Sequence, residues 1–283
     1  MFFIEEADKP NKLIDFFNIV RLEENKIILP YNFEKSNTKT LEKIIKKIEK
    51  IISISNVHKL VPSKKVINNE EFKNLLYASE KDIELVEGKW LFSLLLLKII
   101  EFVIEKKKLE KGKTEISILV NDIGENDFEN IKSIAKEYKK VNIITNHVEK
   151  FKKLEEKMMN ENGILINLTN NKKKSLIHSK IIINIDFSNE IINKYKIFEQ
   201  AIVISLIKGI KIEDKRYQGT VFIDYEIDYK KDEDDLYKVD KYYKKILYES
   251  KMYKKQRLLE TKKNLKNDRV EIIELSSVRN VLK

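Results

Sequence analysis

The sequence predicts an α/β fold in two domains. The second is a mostly parallel sheet with flanking helices, followed by a long basic C-terminal helix. Three observations predict it. Short aliphatic runs of strand length start at 116, 141, 164, 181 and 201. Helical patterns lie between the first three, at 126–138 and 149–160, and such alternation builds a parallel sheet covered by helices. Residues 26–104 alternate strand and helix patterns in the same way.

Taken in order, residues 26–30 read as a strand ended by Pro30. Leu41, Ile44, Ile45, Ile48, Ile51 and Ile52 then recur at helical spacing, with Lys39, Lys43, Lys46, Lys47 and Lys50 on the other face. Ser36 or Asn37 can cap that helix. Residues 57–62 read as a short strand, 69–78 as a helix and 82–86 as a strand. A helix over 88–108 starts apolar on nearly every side, which predicts burial, with Trp90 between the domains. The polar stretch 106–113 ends on Gly112 and marks a boundary. Gly163 reads as a cap and turn before Ile164. The connection 170–180 is short for a crossover helix, though one helical turn fits. Residues 220–227 read as a further strand at the sheet edge. The acidic run 231–235 precedes a charged helix, or two, over 236–266, and 269–275 alternates like a strand. The domains are therefore 1–108, 114–230 and a basic helical segment, 231–283.

Composition excludes several chemistries. The chain has 283 residues, 42% hydrophobic and 36% charged, with a net charge of +10 and no cysteine. Disulfides, thiolate-ligated metals and thiol catalysis are excluded. The acidic start at Glu5 and Glu6 does not read as a signal peptide, and no apolar stretch reaches membrane-spanning length. A cytoplasmic protein without membrane contact is expected. The positive charge suits nucleic acid, but lysine is also the default surface residue of a chain this rich in Lys, Ile, Asn and Tyr.

The strand at 116–120 runs into Asn121, Asp122, Ile123, Gly124, Glu125, Asn126 and Asp127. A dinucleotide-binding turn needs several glycines here, so that backbone N–H groups reach a pyrophosphate at the helix N-terminus. This turn has one. Asp122, Glu125 and Asp127 already complement the helix dipole and repel a second anion. No cofactor is expected.

The layout resembles the two-domain dehydrogenases of the shikimate and amino-acid type. These place an α/β substrate domain first, then a connecting helix, a Rossmann domain and a helix returning to the first domain. Residues 116–120, 141–146, 164–169 and 181–187 fall in the order of such a domain. The glycine fingerprint is absent. Thr145, Asn146 and His147 stand where the acidic ribose-binding residue is expected, and no Lys–Asp pair sits in a recognisable catalytic motif. The resemblance implies a degenerate Rossmann-like fold, and function must be argued from the site itself.

Asn121, Asp122, Asn146, His147, Thr169, Asn170, Asp186 and Ser188 all fall at strand ends. In a parallel sheet they share one crevice, the best ligand pocket the sequence offers. There His147 could act as acid or base, oriented by Asp122 or Asp186. The same residue types also cap helices and make turns. Lys172, Lys173 and Lys174 could hold a phosphate by charge alone or form a solvated turn. His147 and His178 could meet in space, but their spacing fits no metal motif, and no metal site is expected. Residues 236–269 carry twelve Lys/Arg against four Asp/Glu, interleaved with tyrosines. Lys244, Lys245, Lys254, Lys255, Tyr242 and Tyr248 are the candidates there for single-stranded nucleic acid, which is bound by cations and stacking rings. A helix docked by its apolar side explains the same pattern.

Three readings result. The first is a non-catalytic protein-interaction or regulatory role on a degenerate scaffold. The second is a dehydrogenase-like enzyme with its pocket at the strand ends. The third is nucleic-acid binding through the C-terminal segment. A protein partner and weak, non-specific nucleic-acid binding are the expected interactions.

Overall fold

A computed structural model describes residues 1–79, 83–230, 239–252, 258–277 and 281–282. The chain divides into two compact units, 1–90 with 231–255 and 91–230 with 256–283.

The first unit carries β1 (Phe2–Glu6), α1 (Lys12–Phe16), β2 (Arg21–Glu23), β3 (Lys26–Leu29), α2 (Thr38–Ser55), β4 (Lys59–Pro62), α3 (Lys64–Asn68), α4 (Glu70–Tyr77) and β5 (Glu84–Leu85). Its sheet has the order β2-β3-β1-β4-β5, parallel except for β2, which forms a hairpin with β3. The lysine-faced helix is α2. Asn37 caps it, its side chain accepting the Thr40 N–H at 3.0 Å. Leu41, Ile44, Ile45, Ile48 and Ile52 are buried on the sheet side. Full burial of such a side chain contributes about 1.5–3 kcal/mol before the entropy cost of ordering it. Asn56 ends α2 in the left-handed conformation, φ 50°.

The sequence reading missed β1, the central strand of this sheet. Its last residues, Glu5 and Glu6, are acidic yet buried. They are covered from far along the chain: Glu5 accepts the Tyr242 hydroxyl, and Glu6 accepts the Ser63 hydroxyl at 2.8 Å.

The second unit continues from the latter part of α5 (Lys89–Leu94). It carries α6 (Leu96–Lys106), β6 (Ile116–Leu119), α7 (Glu125–Glu137), β7 (Val141–Ile144), α8 (Val148–Asn162), β8 (Asn167–Thr169), β9 (Ile181–Asn184), α9 (Asn189–Ile192), β10 (Ile202–Ser205) and β11 (Thr220–Asp228). In the C-terminal region, α10 (Lys244–Lys251) belongs to the first unit. The helix α11 (Leu258–Asn267) and the strands β12 (Glu271–Ser277) and β13 (Val281–Leu282) belong to the second.

The eight-stranded sheet runs β13-β12-β11-β10-β9-β6-β7-β8. From β8 to β11 all neighbours are parallel. Numbered from β6, that is the 3-2-1-4-5-6 order of the Rossmann fold.

Several expectations are corrected. The helix over 88–108 is two helices separated at Leu95, and Trp90 is only half-buried. Residues Leu91 onward lie with the second unit, where Phe92 stacks on Tyr225 at 4.8 Å and Lys98 Nζ donates to the Val270 carbonyl at 2.6 Å. The strand expected at 164 begins at Asn167. Gly163, at φ 61°, caps α8, and the Ile164 N–H closes that helix by donating to Met158 O at 3.1 Å. The strand at 220–227 is interior, because β12 pairs with it antiparallel on its outer side. The long charged helix is replaced, among the described residues, by a short turn at Val239–Lys241 and the separate helices α10 and α11. Ile246 and Leu247 of α10 join the core of the first unit.

Candidate functional site

In a parallel sheet the loops after the strands gather at one end, and the crevice opens where chain order reverses. Here that point lies between β6 and β9. Two loops meet there. The turn after β6 holds Asn121 and Asp122, and the turn after β9 holds Asp186.

The Asp186 carboxylate accepts the Asn121 N–H at 2.9 and 2.8 Å and the Asp122 N–H at 2.8 Å. The Asn121 side chain accepts the Asn146 N–H at 2.9 Å, tying in the turn after β7. Asp122 pairs with Lys150 of α8. That ammonium, hydrogen-bonded to it, holds the Asp122 carboxyl below the ordinary aspartate range. Asp127 closes the first turn of α7, accepting the Gly124 N–H at 3.1 Å. Burial pushes the Asp127 carboxyl up, and the bond from Gly124 pulls the other way.

Asn121, Asp122, Asn146 and Asp186 therefore form one connected group. Its chemistry is that of an occupied anion nest. Backbone donors at the switch point already hold a carboxylate, and further acidic groups surround them.

The other strand-end residues serve the backbone. His147 stands at the N-cap position of α8 with its side chain exposed. Its N–H donates to Thr145 Oγ1 at 3.1 Å. The Thr169 hydroxyl accepts the Asn171 N–H at 3.1 Å. Asn170 is exposed in that turn, and the Ser188 carbonyl opens α9 by accepting from Ile191 and Ile192. His147 follows the carboxyl end of β7, whereas His178 precedes the amino end of β9. Parallel strands carry the two histidines to opposite ends of the sheet, so they do not form a pair. Among the described residues no three His, Asp or Glu side chains converge as metal ligands.

The nucleic-acid candidates fall mostly inside the first unit. Tyr242 is 2% exposed, packs edge-to-face on Phe3 at 5.5 Å and donates its hydroxyl to Glu5. Tyr248 and Lys245 are buried, and Lys244 is half-buried. These two rings have no free face for a base to stack on. Lys254 and Lys255 lie outside the described residues.

The sequence reading also missed a cavity of about 500 Å³ in the first unit, lined by Glu5, Glu6, Asp15, Arg21, Glu23 and Lys26 among others. Asp15 is committed there to the backbone, accepting the Asn11 N–H at 2.9 Å and the Tyr31 N–H at 2.8 Å. The sequence signal for it is the run of mixed charge Arg21, Glu23, Glu24 and Lys26.

No protein-family model matches the chain, and no curated protein sequence matches it. Solved structures similar to it include the A chain of dipicolinate synthase from Bacillus subtilis, at 9% identity and TM-score 0.36, over 71% of this chain and 62% of that one. Another is the shikimate 5-dehydrogenase-like protein HI0607, at 12% identity and TM-score 0.30, over 78% and 84%. A third is L-tryptophan dehydrogenase from Nostoc punctiforme, at 9% identity and TM-score 0.32, over 76% and 65%. The chain spans less than two thirds of the length of the first and third of these.

Proposed function

We propose that this protein acts without catalysis, in a protein-interaction or regulatory role, on a Rossmann-like scaffold whose cofactor position is filled by its own side chain. One observation carries the reading. The Asn121 and Asp122 N–H groups lie at the switch point, where a dinucleotide would place its pyrophosphate, and both donate to Asp186. A pyrophosphate would have to displace that carboxylate and then sit beside Asp122 and Asp127. Replacing one anion by another returns no net hydrogen bonds and adds repulsion. Without the cofactor the scaffold has no hydride to transfer. His147, the acid–base candidate, is exposed at the N-cap position of α8, and the Asp122 carboxylate that would orient it is already paired with Lys150.

The test is calorimetric titration of the intact chain with NAD and with NADP at moderate salt. The proposal expects no saturable heat. Binding in the low micromolar range would return the chain to the dehydrogenase-like reading.

A further inference from the structure

We propose that the outer edge of the first unit's sheet, β2 with the adjoining face of α1, is the interface of a twofold-symmetric dimer of this chain.

Among the described residues no strand pairs with the outer side of β2, and its hydrogen-bonding phase is fixed. Asn25 and Leu29 give their carbonyls to β1, accepting the Phe3 N–H at 2.8 Å and the Ala7 N–H at 3.0 Å. Backbone groups alternate sides along a strand, so Asn25, Ile27 and Leu29 face β1 while Lys26 and Ile28 face β2. Leu22 is paired with Ile27. Its own N–H and C=O therefore turn outward, away from β3. An exposed pair of this kind is a template for another strand.

The edge also complements itself. β2 reads Arg21, Leu22, Glu23. An antiparallel copy centred on Leu22 exchanges two backbone hydrogen bonds, Leu22 to Leu22. It sets Arg21 opposite the partner's Glu23, and Glu23 opposite the partner's Arg21. A twofold axis produces both pairs at once. Within one copy Arg21 Nη1 and Glu23 Oε1 already lie 2.8 Å apart, with 39% and 53% of the side chains exposed. Edge strands are commonly protected by charges that repel a second strand. Here the charges match one.

The apolar area agrees with a second copy as the occupant. Leu13, Phe16, Phe17, Ile19 and Leu22 are 68%, 77%, 60%, 38% and 44% exposed. Leu13, Phe16 and Phe17 share one helical face by their spacing, and the two rings meet edge-to-face at 5.0 Å. Side chains of this size expose roughly 500–600 Å² together, as large as the largest patch on a typical monomer. A stable interface takes about 800 Å² per partner, somewhat over half of it apolar. These side chains supply the apolar share, and the edge strand with its charges supplies the rest.

Sedimentation velocity on the full chain, from about 1 to 100 µM, tests this. The expected result is a species of twice 33.6 kDa. Glu23→Arg, which places Arg opposite Arg twice, should weaken dimerisation at least about tenfold. Phe16→Glu should do the same. The exchange Arg21→Glu with Glu23→Arg rebuilds both pairs in reverse and should restore the dimer. Phe16 and Glu23 are exposed, so the thermal midpoints of the two single variants should match the parent's, while Arg21 is half-buried and the exchange is read at a temperature well below its own midpoint. A parent that is monomeric throughout, a dimer that Glu23→Arg leaves intact, or one that the exchange fails to restore would overturn the proposal.

Discussion

The Asp186 carboxylate accepts the backbone N–H of Asn121 at 2.9 and 2.8 Å, joining the turns after β9 and β6 across the centre of the sheet. The two residues are 65 apart in the chain, yet they close the one place where a Rossmann sheet opens to a ligand. The same carboxylate takes the Asp122 N–H, so it both fastens the loops and fills the nest.

Asp186→Ala should therefore destabilise the protein. It leaves the part-buried Asn121 N–H without its acceptor, a cost of about 1–3 kcal/mol, while the exposed Asp122 N–H can turn to water. Asp186→Asn keeps one acceptor oxygen and should cost less. Thermal midpoints of the three proteins measure this. An Asp186→Ala variant with the parent's midpoint would mean that the bonds do not form.

Gly219 precedes β11, and a Cβ built there would lie 2.0 Å from the Ala201 carbonyl. The entries of β10 and β11, paired at Ile202 and Thr220, would have to separate. Gly219→Ala should cost about 1–3 kcal/mol by overpacking. Urea denaturation reads it as a lower midpoint at unchanged slope. An unchanged midpoint would contradict the close approach.

Tyr242→Phe removes the hydroxyl that Glu5 accepts and should cost about 1–3 kcal/mol, since that carboxylate is buried. The substitution should leave any binding to single-stranded DNA or RNA unchanged, because the ring is already packed on Phe3. Fluorescence anisotropy across a salt series separates the two effects. Loss of tight binding on this substitution would revive the stacking reading.

What the sequence disclosed follows from the range of the interactions. The stripe of α2 and the strand starts at 116, 141 and 181 were legible because each depends on neighbours within a few residues. The strand β1 was not, because its two glutamates deny the alternation that a half-buried strand shows. Their partners, Tyr242 and Ser63, are 237 and 57 residues away. Position at strand ends was legible for Asn121, Asp122 and Asp186, while their mutual bonds were not. In the C-terminal segment charge was countable but burial was not: Lys245 adds to the basic count and is 3% exposed.

Stability should fall on the alkaline side. Burial, aided by the charges of Glu101 and Glu137, raises Tyr138 to about 12. Burial also raises Tyr195 and Tyr217. Lys241 is raised as well, by Asp8, Glu5 and Glu6 against the pull of desolvation. Each group holds its proton more tightly folded than unfolded. The contribution is complete below the ordinary tyrosine and lysine values, about 10, and is lost as pH rises through the folded values. Thermal midpoints followed with tyrosinate absorbance should drop from about pH 10 upward. A flat profile to about pH 12 would contradict the shifts.

The donors of the turn after β6 are already taken by Asp186. Amide NMR of Asn121 and Asp122 during titration with NAD tests it most directly. Both resonances should stay in place in the parent as NAD is added. Saturable shifts of both amides in the parent would show the pyrophosphate displacing Asp186, and would contradict it.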